Sequence, residues 1–86
     1  MTITPETLRI IRQVYRLTLE EMAAVLDTST AGVWRLEHGE RPITADIAAL
    51  IKAEFELTPE KLARVLEIYE ETGGRAARRV RVMRPA

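Results

Sequence analysis

The sequence predicts an all-α domain of five short helices with a short basic tail. Three observations carry that expectation. A threonine or serine stands ahead of each apolar stretch, at Thr4, Thr18, Thr28 or Ser29, Thr44 and Thr58, where its oxygen can accept an unsatisfied N–H of the first turn. Behind each cap, apolar residues recur at the three- and four-residue spacing of one helix face. The connections between these stretches are brief, as in small helical domains.

Helix 1 opens at Thr4 with Pro5 in the first turn, where a missing N–H does no harm, and is expected to run to about Arg16. Leu8, Ile11 and Tyr15, with Val14 nearby, form its inward stripe, and Arg9, Arg12 and Arg16 recur on the other face or its edge. Helix 2 starts after Thr18, and Glu21 three residues on completes a Thr-x-x-Glu capping box. Leu19, Met22, Ala23 and Leu26 give it an apolar face, and Asp27-Thr28-Ser29 breaks the pattern. Val33 and Leu36 turn helix 3 inward, and Gly39 ends it as a residue that tolerates positive φ. Glu40-Arg41-Pro42-Ile43 reads as a loop. Helix 4 follows Thr44 with Ile47, Leu50, Ile51 and Phe55 inward, and helix 5 follows Thr58-Pro59 with Leu62, Val65, Leu66 and Tyr69 inward and Ile68 widening the stripe. Gly73-Gly74 is expected to stop it.

At 86 residues and 47% apolar, the chain can form one small folded domain with a modest core. It has no cysteine, which excludes disulfides and thiolate metal sites, and its one histidine cannot build a zinc site alone. No metal and no cofactor are expected. No apolar run approaches the roughly 20 residues of a membrane span, and the first residues lack a signal-peptide pattern, so the expectation is a cytoplasmic protein without membrane partners. Net charge is zero but unevenly placed: residues 1–74 hold 8 Lys/Arg and 13 Asp/Glu, a balance of −5, and residues 75–86 hold 5 Arg and no acid, a balance of +5. The body, residues 1–74, is therefore acidic and the tail, residues 75–86, basic. Arg79-Val80-Arg81-Val82 alternates and could form a short strand, which would need a partner chain because an isolated strand is unstable. The other readings are a disordered basic tail and a tail that orders on DNA phosphates.

The run from Leu17 to Gly39, written Leu-Thr-x-Glu-Glu-Met-Ala…Val-x-Arg-Leu-Glu-His-Gly, resembles the helix-turn-helix of the Cro/C1-type (XRE-like) DNA-binding family, to which lambdoid phage repressors and many antitoxins of mobile elements belong. The resemblance extends from about Leu8 to Leu66 and implies a five-helix, lambda-repressor-like domain with helices 2 and 3 as the helix-turn-helix. Leu19, Asp27 and His38 depart from the family pattern, which commonly has glutamine, glycine and asparagine there. Leu19 cannot make the hydrogen bond of that glutamine, and Asp27 brings negative charge near the groove while tolerating the left-handed conformation.

The resemblance implies site residues. Thr30, Ala31 and Arg35 match positions that touch bases. Arg35 is the strongest reader, because its planar fork can bond O6 and N7 of a guanine together. Candidate phosphate contacts are Arg16, Ser29, His38 and Arg41, beside the first N–H groups of helices 2 and 3. Arg12 and Glu37 match a structural ion pair that would lock helix 1 to the end of helix 3. Gly32 permits a close approach, either to DNA or to helix 2, or is a tolerated surface glycine. Trp34 lies beside the inward face. It either covers the seam between helix 3 and the following loop or borders a DNA or partner surface.

The leading functional expectation is a sequence-specific, dimeric transcriptional repressor of its own operon in a phage, plasmid or other mobile element. Two copies would place two helix-turn-helix units about one DNA turn apart. Ile68, Tyr69, Val80 and Val82 are the candidate dimerisation residues, since Ile68 and the Val80/Val82 pair exceed what one small core needs. The alternative is an antitoxin or protein-interaction module with secondary DNA binding, whose partner is a toxin or antirepressor. The acidic face with Glu67, Glu70 and Glu71, or the tail, would then engage that partner. An enzyme is not expected, because the lone His38 has no cysteine partner and the acids lie on helix surfaces.

Overall fold

The computed structural model describes residues 2–72 and contains, among them, five α-helices and no strand. They are α1 (Pro5–Val14), α2 (Leu19–Val25), α3 (Thr30–Glu37), α4 (Ala45–Glu54) and α5 (Pro59–Thr72). Gly73-Gly74 and the alternating segment with Val80 and Val82 lie outside the described residues. No helix among them is long and apolar enough to cross a membrane.

Each helix starts on a hydroxyl cap. Thr4 accepts from the Thr7 N–H, Thr44 from Ile47 and Thr58 from Lys61, at 3.0, 3.3 and 3.1 Å. At α2 the exchange is reciprocal: the Thr18 hydroxyl accepts from the Glu21 N–H at 3.0 Å, and the Glu21 carboxylate accepts from the Thr18 N–H at 2.8 Å. Of the two residues able to cap α3, Ser29 does so, accepting from the Gly32 N–H at 3.0 Å.

The first four helices also end alike. The residue after each C-cap has positive φ: Arg16 at 58°, Asp27 at 52°, Gly39 at 74° and Glu56 at 51°. The next N–H then reaches back five residues, Leu17 to Arg12, Thr28 to Ala23, Glu40 to Arg35 and Leu57 to Lys52, at 2.8–2.9 Å. This is the Schellman arrangement, which satisfies carbonyls the helix end would leave open. α1 therefore stops at Val14, short of the expected Arg16, because Arg16 adopts the left-handed conformation that turns the chain toward α2.

The core contains Leu8, Ile11, Met22, Val33, Leu36 and Ile51, each essentially inaccessible to solvent. α2 packs on α3, and α1 is covered on two sides, by α3 and by α5. That double cover buries Ile10 as well as Leu8 and Ile11. Ile3 and Leu57, outside the helices, are buried too. α4 enters the core through Ile51 and Phe55, and Phe55 meets Tyr15 with ring centroids 4.8 Å apart. Lys61 Nζ donates to the Phe55 carbonyl at 2.7 Å, a cation on the negative end of α4. Ile68 and Tyr69 are half-buried on α5.

Candidate nucleic-acid interface

The geometry of α3 follows from its length and its 3.6-residue period. Gly32, Val33, Leu36 and Glu37 are buried, whereas Thr30, Ala31, Trp34, Arg35 and His38 are exposed. Pairs at i, i+1, i+4 and i+5 share one side of a helix, so the buried pairs fix α3 against α1 and α2 and the exposed residues form the opposite face. The structure thus brings Thr30, Ala31 and Arg35 together on one accessible surface. The Arg35 guanidinium makes no hydrogen bond or ion pair among the described residues. Its carbonyl instead accepts the N–H groups of Glu40 and Arg41 at 2.9 and 3.3 Å, which ties the following loop to the helix end.

Behind that face stands an ion pair. Arg12 Nε donates to Glu37 Oε2 at 2.6 Å and Arg12 Nη2 to Glu37 Oε1 at 3.2 Å, a two-pronged contact. The third nitrogen, Nη1, donates to the Leu17 carbonyl at 3.0 Å. The Glu37 side chain is 2% exposed and that of Arg12 16%. One guanidinium therefore connects α1, the end of α3 and the segment entering α2.

The four-residue turn Leu26–Ser29 delivers the chain into α3, with Asp27 in the left-handed conformation at its centre. Arg41 reaches back from the loop after α3, and its Nη1 donates to Thr28 Oγ1 at 3.3 Å. A Cβ at Gly32 would stand 2.6 Å from Thr28 Oγ1 and 3.2 Å from both Arg41 Nη1 and Ser29 Oγ. Gly32 therefore accommodates a close approach from within the chain: two hydroxyls and a guanidinium gather at the N-terminal end of α3. Ser29 is exposed, and its oxygen already serves the cap, which leaves its O–H as the donor available to an anion.

Trp34 is 41% exposed. Its ring stacks on that of His38, with centroids 3.8 Å apart and planes at 17°. His38 Nδ1 lies 2.8 Å from the Trp34 carbonyl oxygen. A carbonyl only accepts, so Nδ1 carries the hydrogen, and the neutral ring then presents the lone pair of Nε2 outward. His38 can donate from Nε2 only when protonated.

Arg16 occupies a different setting. It is half-buried at its left-handed position, with Nε withdrawn from solvent. Leu19 is half-buried at the start of α2. Among the described residues, no group of three or more His, Asp or Glu is placed to hold a metal ion. Comparisons with protein-family models, with curated proteins and with solved structures gave no match.

Proposed function

We propose that this chain is a sequence-specific DNA-binding transcriptional regulator, acting as a dimeric repressor of its own operon in a mobile element. In this reading α2, the turn and α3 form a helix-turn-helix of the Cro/C1 kind, and α3 lies in the major groove. The observation that carries it is the outer face of α3, where Arg35 stands exposed beside Thr30 and Ala31 while the opposite face is fixed in the core. Arg35 reads a guanine, Thr30 donates to or accepts from a base edge, and Ala31 meets a thymine methyl. Arg41 and the Ser29 hydroxyl, at the positive end of α3, bind the backbone phosphates. A second copy, joined through Ile68 and Tyr69 of α5, supplies the second half-site.

One expected result tests the phosphate contacts. Arg41→Ala weakens specific and random DNA alike and makes the slope of log K against log salt shallower by about one unit. Titrating binding against salt checks this, and a loss confined to one sequence would remove Arg41 from the backbone role.

A second reading, a protein-binding module with secondary DNA binding, is favoured by the stacked and exposed Trp34 and by the acidic balance of the body. A toxin or antirepressor partner belongs to this reading. DNA affinity that depends on a co-purifying protein would support it over the first.

A further inference from the structure

Where α1 begins and α5 ends, the two helices leave a groove of about 350 Å³. Ile10, Leu66 and Tyr69 line it, Ile10 buried and the other two half-buried. Glu6 and Glu70 also line it, and both are exposed. Neither carboxylate makes a hydrogen bond or ion pair among the described residues. An apolar floor with an unneutralised acidic rim suits an occupant that carries apolar and cationic side chains together.

The chain itself has such a segment. α5 ends at Thr72, beside the groove-lining Tyr69 and Glu70, and the sequence continues through Gly73-Gly74 into residues 75–86. Those twelve residues hold five arginines with Val80, Val82 and Met83, and no acid. Two glycines permit a sharp reversal, since they adopt positive φ without steric cost. Twelve extended residues reach about 40 Å, whereas α1 is about 15 Å long, so reach is ample. Tethering two residues from the helix end gives a local concentration of about millimolar, which populates contacts that would be weak between separate molecules.

We propose that this groove seats the chain's own C-terminal segment, which turns back at Gly73-Gly74, places Val80 and Val82 against Ile10 and Leu66, and brings arginines to Glu6 and Glu70. The basic tail then balances the acidic body from which it emerges. Seated there, it withholds its arginines from other anionic partners and competes with a second copy for Tyr69. The proposal stands whether or not α3 reads DNA.

Because the chain has no cysteine, Met83→Cys provides one site for a nitroxide label on the full-length protein. In an isotope-labelled sample, the amide signals of Thr7, Ile10, Leu66 and Tyr69 broaden severalfold more than those of Thr30 and Arg35. The effect persists when the labelled chain is diluted with excess wild-type chain that carries neither label. It is lost in the Glu6→Lys, Glu70→Lys double variant, and raising the salt concentration without any charge reversal diminishes it. Broadening that vanishes on dilution would place the segment in the groove of a second copy and overturn the proposal. Broadening centred on α3, or spread evenly over the chain, would overturn it too.

Discussion

Arg35→Ala is expected to relax discrimination between the operator and random DNA while leaving the fold intact. Arg35 is exposed on α3, and its side chain supports nothing else among the described residues, so its removal costs no packing. A bidentate arginine–guanine contact carries about 1–3 kcal/mol of discrimination, roughly a 5- to 150-fold loss on the specific site. Binding to random DNA falls only by one phosphate-range charge. The check is a titration of both DNAs with wild type and variant, together with thermal melting to confirm an unchanged fold. Equal losses on both DNAs would contradict the reader role and reassign Arg35 to the backbone.

Arg12→Ala is expected to be the most destabilising single change on the polar side of the core. It strands the Glu37 carboxylate, whose side chain is 2% exposed, without its cation. Breaking a buried pair from one side costs about 3–5 kcal/mol, a large part of the 5–15 kcal/mol that holds a small domain together. Arg12 is more accessible and keeps its Leu17 carbonyl, so Glu37→Ala costs less than Arg12→Ala. Replacing both with apolar residues of similar volume, Arg12→Met with Glu37→Leu, recovers much of the loss, because burying the pair already costs desolvation. Urea unfolding of the four proteins measures this order. A double variant no more stable than Arg12→Ala would mean that the pair does more than compensate its own burial. DNA binding by the refolded double variant then reports whether the pair orients α3.

The helix starts were legible because a hydroxyl cap is a local signal, chemically fixed by one residue and its N–H three positions on. The ion pair joins residues 25 positions apart, and only the family resemblance pointed to it. Helix ends were less legible. Gly39 announced one Schellman turn, but Arg16 and Glu56 adopt the same left-handed conformation with side chains that ordinarily avoid it. Those turns are imposed by the packing of the next helix, which no local signal records. Ile10 escaped a single-stripe reading for a related reason: α1 lies between α3 and α5 and buries two faces, while the periodicity of one amphipathic helix describes one. At the candidate interface, the outward placement of Thr30, Ala31 and Arg35 follows from the inward period of Val33 and Leu36. The Trp34–His38 stack and the reach of Arg41 to Thr28 depend on side-chain geometry in three dimensions, and spacing carries no trace of them.

Binding of the purified chain to DNA from upstream of its own gene, against a scrambled duplex of equal length and composition, at two salt concentrations, tests the central claim most directly. An operator-reading repressor binds the upstream DNA more tightly at both concentrations, and its affinity for both duplexes falls steeply with added salt. Equal and weak binding to the two duplexes would contradict that claim.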